Sequence, residues 1–294
     1  MKSPFSEIKK GHILISDGAW GTELHKRGLK PGECPENWNL THHDDVYAIA
    51  KGYIDAGSDI ILTNSFGANP IKLKNYNLEE KVVELNRAAA MISREAAGDT
   101  HFVFGSMGPT GLMLCTGDGS EDEVYEGYCI QAKALAEGGV DALCIETMSD
   151  PVEASLAIKA AKASTSCEVA CTFVFNKSLS GDFHTMMGLS VDDAMNIARG
   201  AGADIIGSNC GNGIDGMVEI VGLIRKQDNS TPILVQANAG LPIFKDGETI
   251  FRETPEQMAG KAADLINAGA NIIGGCCGTN SEHIRALAKA VRKI

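Results

Sequence analysis

Eight short apolar runs punctuate this chain, and each leads into a polar or glycine-rich loop and then a helical stretch. The runs cover residues 12–16, 59–63, 102–106, 141–146, 168–173, 204–209, 232–236 and 271–275. Most are nearly continuous in Ile, Leu, Val, Ala or Phe, as expected of parallel strands buried on both faces. A second phrase repeats where helices end and strands begin: Ala56-Gly57-Ser58-Asp59, Gly138-Gly139-Val140-Asp141, Ala201-Gly202-Ala203-Asp204 and Ala268-Gly269-Ala270-Asn271. Glycine there suits the left-handed cap that closes a helix. Val82, Leu85, Ala89 and Ile92 fall on one side of a helix expected over 79–97. Eight strand–helix alternations predict an α/β fold, a (β/α)8 TIM barrel forming one domain over 1–294, with a doubly wound open sheet as the competitor. The 294 residues and 44% hydrophobic content suit a barrel of about 250 residues.

In such barrels the chemistry sits at the carboxyl ends of the strands. The run ends and the loops after them carry Asp17-Gly18-Ala19-Trp20-Gly21-Thr22, Asn64-Ser65-Phe66-Gly67, Met107-Gly108-Pro109-Thr110-Gly111, Glu146-Thr147, Asn209-Cys210-Gly211, Asn238-Ala239-Gly240 and Gly274-Gly275-Cys276-Cys277-Gly278-Thr279. Adjacent cysteines make a strained disulfide. Two thiols at one strand tip, with Cys210 at another, suit a soft cation with an open fourth position, as catalytic rather than structural zinc has. A redox or simply buried role for the vicinal pair is the alternative on spacing alone. Three thiolates on a divalent zinc leave a net charge of about −1, which suits holding and deprotonating a further thiol rather than Lewis-acid hydrolysis. The expected chemistry is alkyl transfer to a thiol substrate. Asp17 and Glu146, ending runs one and four, are expected at a cationic amino group, and the glycine-rich backbone from Gly18 at a carboxylate.

Other readings are narrowed by composition. The formal charge of −12 argues against a nucleic-acid surface. No apolar stretch reaches the length of a membrane span, and the N-terminal residues show no signal-peptide core, so a cytoplasmic location is expected. Nine cysteines then belong to a reducing compartment. Cys129, Cys144, Cys167 and Cys171 read as small buried hydrophobes, whereas Cys34 and Cys115 are unassigned. The segment Gly211-Asn212-Gly213-Ile214-Asp215-Gly216 fits a dinucleotide-binding pattern, but Gln236 stands where that reading wants an acid. His42 and His43 read as solvated, and His184 lies in the loop after run five. The loops 106–120 and 176–189 are expected to shape the pocket.

Together the strand-tip motifs resemble the homocysteine S-methyltransferase family over nearly the whole chain. They are most similar to the homocysteine-binding barrel of cobalamin-dependent methionine synthase. The resemblance implies zinc on Cys210, Cys276 and Cys277, with the homocysteine thiolate as fourth ligand and no catalytic side chain beyond this activation. It implies that Asp17 and Glu146 hold the amino group, that Gly18 and nearby backbone hold the carboxylate, that Asn209 and Asn238 line the substrate site, and that Asn238 fills the open zinc position when substrate is absent. The loop His184-Thr185-Met186-Met187-Gly188-Leu189 departs from the more polar stretch expected there. The multidomain synthase continues into folate and cobalamin modules, so the methyl donor is expected from elsewhere. A methylated corrinoid protein is the first choice, and S-methylmethionine or S-adenosylmethionine the alternative. Glycine betaine ranks last for want of an aromatic cage. A zinc- or thiol-binding module without turnover is the non-enzymatic reading.

Overall fold

The structure, a computed structural model, describes residues 3–245 and 248–294. Its parallel strands are β1 (Leu14–Ile15), β2 (Ile60–Leu62), β3 (Phe102–Met107), β4 (Ala142–Met148), β5 (Glu168–Phe173), β6 (Ile205–Asn209), β7 (Ile233–Ala237) and β8 (Ile272–Gly275). The first strand pairs with the last, and the order around the sheet is β1-β8-β7-β6-β5-β4-β3-β2. That pairing settles the choice between an open sheet and a barrel in favour of the barrel. The principal helices around it are α1 (His43–Ala56), α2 (Val82–Ala97), α3 (Glu121–Glu137), α4 (Pro151–Ser164), α5 (Val191–Ala201), α6 (Ile214–Gln227), α7 (Ala262–Ala268) and α8 (Ser281–Val291).

The seam between β1 and β2 is closed by side chains more than by backbone. One main-chain bond crosses it, from the Asp59 N–H to the Ile15 carbonyl at 2.7 Å. The Asp59 carboxylate accepts from the Ile15 N–H at 2.8 Å, and the Asp17 carboxylate from the Leu62 N–H at 2.9 Å. Two acids thus satisfy buried strand donors that a ladder would otherwise take up. This is why the first strand is only two residues long, although the apolar run spans 12–16.

Expected helix signals appear close to where the sequence puts them. Val82, Leu85, Ala89 and Ile92 are all buried, and the stretch 79–81 forms a 3-10 turn leading into α2. Gly57 and Gly269 end their helices at φ +108° and +111°, a conformation that costs glycine little. In the junction before β4 the left-handed residue is Gly139 rather than Gly138. The N-terminal stretch forms a short helix, Pro4–Lys9; Met1 and Lys2 lie outside the described residues. Among the described residues no helix is long and apolar enough to cross a membrane.

Inside the barrel, alternate strand residues point inward and build layers. Leu14, Ile60, Leu62, Phe104, Cys144 and Leu234 belong to one apolar plug. Two positions further along several of the same strands come Ser16, Ser106, Glu146 and Gln236, all buried. The barrel is therefore greasy through its waist and polar at its carboxyl end. The larger core lies between strands and helices. Cys144 and Cys171 are fully buried, with their thiols pushed to high pKa by desolvation, while Cys129 and Cys167 are half-buried.

Candidate metal centre and substrate cavity

The sulfurs of Cys210, Cys276 and Cys277 lie within 4.8 Å of one another, although 66 residues separate the first two. Cys210 follows β6, and the vicinal pair follows β8. The strand between them, β7, serves as the spacer. The Cys210 N–H donates to the Gln236 carbonyl at 3.1 Å and the Cys276 N–H to the Ala237 carbonyl at 2.7 Å. The Ala239 N–H returns a bond to the Cys277 carbonyl at 3.0 Å. Cys210 adopts φ +58°, uncommon for a residue with a side chain, and its Sγ lies 3.8 Å from that of Cys277. Ligands about 2.3 Å from a tetrahedral centre stand about 3.8 Å apart. The donor set therefore fits a zinc-sized soft cation in spacing as well as in kind.

Electrostatics agree. The Cys276 and Cys277 thiols donate toward Cys210 and hold its pKa far below the ordinary thiol range, while their own pKa values are driven up, chiefly by that same hydrogen bonding. Three sulfurs alone thus share one negative charge. A divalent cation supplies what is needed to release the other two protons.

The sulfurs open into a cavity of about 300 Å³. Gly18 to Thr22 form one wall, with Trp20 among them, and Phe66 and Glu36 another. Glu146 reaches in from β4, which breaks register between Ile145 and Met148. Its Oε1 accepts from the Ser106 hydroxyl at 2.5 Å. Burial raises the Glu146 carboxyl to a pKa of about 7 against the pull of that bond. Beyond Ser106, neither of the long loops expected to shape the pocket lines this cavity. The β3 loop acts indirectly: the Gly108 N–H bonds the Phe66 carbonyl at 2.8 Å.

Asp17 and Asn209, both expected at the substrate, are fully buried and are not among the residues that line this cavity. Asp17 is fully buried, bonded to the Leu62 N–H and the Trp20 indole at 2.9 Å each, and desolvation raises its pKa to about 7. It closes the barrel and aims Trp20. Asn209 is fully buried as well. Its Oδ1 accepts from the Thr147 N–H and the Thr172 hydroxyl, and its Nδ2 donates to the Thr147 hydroxyl, all at 2.8 Å. Thr147 needs this clamp, because its φ of +65° is an outlier for a β-branched residue. The same Nδ2 stands 4.0 Å from the Cys276 sulfur. Asn209→Ala is expected to lower stability by about 2 kcal/mol and to weaken metal affinity about tenfold. Urea unfolding and a chelator competition measure the two.

Asn238 is buried, its side chain near enough to Cys210 to help lower that thiol's pKa, and its Oδ1 has no partner among the described residues. His184 lines an outer groove with Asp182 and Glu219, not the sulfur cavity. His42 and His43 are exposed, as expected. In the dinucleotide-like segment, Gly213 leaves room for Gly240 and Glu253, whose carboxylate faces the Ile214 N–H at 3.5 Å. An acid thus occupies the helix start where a phosphate would sit.

Comparison with known families matches residues 14–291 to homocysteine S-methyltransferase. The chain belongs to this family. Methionine synthases of Mycobacterium leprae and Mycobacterium tuberculosis are each 29% identical to it over 96% and 98% of its length. It spans about a quarter of those proteins, 24% and 25%. Among solved structures, the metallated homocysteine methyltransferase MmuM from Escherichia coli superposes with a TM-score of 0.76 at 23% identity, covering 98% of this chain and 99% of that one. A methyltransferase from Methanosarcina mazei gives 0.60 at 12% identity over 96% and 94%. Both share the fold.

For a member of this family, two cavity residues are missed by sequence reasoning. Glu36 comes from the long β1–α1 connection, where its carboxylate accepts from the Gly67 N–H at 2.6 Å and the Cys34 thiol at 3.2 Å. Burial and the neighbouring Glu36 charge push the Cys34 thiol up to about 12. No local pattern marks Glu36. Gln236 does carry a signal, a polar residue at an inward position ending an apolar run, but the sequence raises it only against the nucleotide pattern.

Proposed function

We propose that this chain is a zinc-dependent S-methyltransferase that methylates homocysteine to methionine, and that residues 1–294 form its homocysteine-binding barrel. The observation that carries this reading is the trio of sulfurs within 4.8 Å of one another, Cys210 and Cys277 at tetrahedral spacing, in one cavity with a buried carboxylate. Cys210, Cys276 and Cys277 hold the ion. Zinc, when bound, keeps a thiol ligand deprotonated and nucleophilic near neutral pH. Glu146 pairs with the substrate ammonium, and the backbone from Gly18 to Gly21 meets its carboxylate. Trp20 and Phe66 restrict water around the reacting sulfur. A sulfur–carbon bond forms as the donor–methyl bond breaks, and the thiol proton leaves to solvent.

The methyl donor in this reading is a separate methylated corrinoid protein. The likeness to methionine synthases supports that choice, and S-methylmethionine and S-adenosylmethionine are the competitors. The cytoplasm suits nine free thiols. The test is a donor screen. Zinc-loaded protein and homocysteine are incubated with methylcobalamin, S-methylmethionine, S-adenosylmethionine or glycine betaine, and methionine is quantified. Methionine from methylcobalamin above the protein-free rate is expected. Tight homocysteine binding with no methionine from any donor would favour a binding module.

A further inference from the structure

The polar layer at the carboxyl end of the barrel has most of its hydrogen bonds made. The Ser106 hydroxyl is spent on Glu146, Thr172 on Asn209, and Asn209 on Thr147. The Ser16 hydroxyl donates to Asp17 Oδ1 at 3.2 Å. Gln236, only 3% exposed, donates from Nε2 to the Ser16 oxygen at 3.2 Å. Its other amide atom, Oε1, has no partner among the described residues. The orientation of this amide follows from its neighbour. With Asp17 ionised, the Ser16 hydroxyl directs its one proton to that carboxylate, so toward Gln236 it can only accept. The nitrogen must therefore face Ser16, and the carbonyl is left over.

A buried carbonyl without a donor is costly, by roughly 1–3 kcal/mol. Gln236 lines the same cavity as Glu146 and the three sulfurs, and no lysine, arginine or histidine lines it among the described residues. The described chain does not supply the donor, and a ligand that fills the cavity is placed to do so. Glu146 is similarly incomplete. Its Oε1 is taken by Ser106, whereas Oε2 has only a 3.4 Å contact from the amide nitrogen that already serves Thr147. One neutral acceptor and one anionic acceptor, both short of donors, match an ammonium group with its three N–H bonds. A carboxylate or thiolate would be repelled by both.

We propose that the Gln236 side-chain carbonyl accepts a hydrogen bond from the α-ammonium group of the substrate and selects amino-acid thiols over thiols that lack the amine. This assignment rests on the functional reading given above, since it concerns the same cavity. A neutral residue on β7 thereby becomes a selectivity element beside the acid on β4.

The test compares two thiols differing only in the amine, homocysteine and 4-mercaptobutanoate. Their dissociation constants are measured by calorimetry on zinc-loaded wild type and Gln236→Met, which preserves length and apolar volume while removing the acceptor. The variant is expected to bind homocysteine about tenfold more weakly or worse, and the des-amino thiol within about twofold of wild type. The ratio of the two constants cancels any loss of folded fraction. Gln236→Asn, which withdraws the carbonyl by one methylene, gives the same reading if the methionine variant does not fold. An unchanged ratio overturns the assignment, whether both affinities fall together or neither falls. Wild-type protein that binds neither thiol would overturn the functional reading beneath it instead.

Discussion

Cys210→Ala is expected to leave the barrel folded, to lose its zinc, and to lower methionine formation by about 10³-fold or more. The fold survives because what Cys210 contributes to the barrel is its backbone, through the N–H bond to the Gln236 carbonyl, and alanine keeps it. Metal binding does not survive, because the two remaining sulfurs are sequence neighbours on one side of the site. They cannot complete a tetrahedral face. The kinetic loss then has two sources. An unassisted thiol of pKa about 8.5 is roughly 3% ionised at pH 7, which alone costs about 30-fold. Loss of orientation between sulfur and methyl group adds a further factor of at least about 30. Zinc content by atomic absorption after dialysis, far-ultraviolet circular dichroism and initial rates distinguish these parts. Undiminished zinc in the variant would remove Cys210 from the ligand set. Cys210→Ser separates geometry from softness, since it offers an oxygen near the same place, and it is expected to retain little metal.

The cysteines are legible in the sequence because two independent signals coincide on them: a residue type with few bland uses in a polar loop, and a position at a strand tip. The barrel is legible because eight buried parallel strands leave continuous apolar runs that need no partner to be recognised. The division of work among polar side chains that share a layer is not legible in the same way. Asp17, Glu146, Asn209 and Gln236 all end or follow apolar runs, and nothing local distinguishes them. In the folded chain Asp17 spends its carboxylate on a backbone donor of β2 and on Trp20, and Asn209 spends its amide on two threonines. Glu146 and Gln236 keep acceptor capacity for the cavity. At two of these positions the cause is a long-range property: β4 breaks register at Glu146, and the β1–β2 ladder is missing beside Asp17. Glu36 is a further case, brought to the cavity by a connection whose path no periodicity describes.

Glu146→Gln is expected to weaken substrate binding and to stabilise the substrate-free protein, two effects of opposite sign from one carboxyl group. Burial raises the folded-state pKa of Glu146 to about 7, well above that of an unfolded glutamate. Between about pH 4.5 and 7 the folded chain therefore holds a proton that the unfolded chain has released, and stability falls as pH rises through that window. The full cost of ionising this group is roughly 3 kcal/mol, felt above pH 7. Glutamine keeps the shape of the neutral acid and never ionises. At pH 8 the substrate-free variant should melt roughly 5 °C above wild type, and at pH 5 the two should coincide. Asp17, raised in the same direction, is present in both proteins, and its charge contributes to the rise at Glu146, so the comparison reports the two acids together. Substrate reverses the order. An ammonium group opposite the carboxylate recovers the cost of burying it, so removing the charge should weaken homocysteine binding at pH 8 by about 10²-fold, with the difference shrinking below pH 6. Binding to wild type near pH 6.5 should also expel the Glu146 proton. Calorimetry in buffers of different ionisation enthalpy would register the thiol proton in both proteins and this additional proton in wild type alone. A variant less stable than wild type at pH 8, with homocysteine and 4-mercaptobutanoate weakened alike, would make Glu146 a packing residue and leave the amino group to other partners.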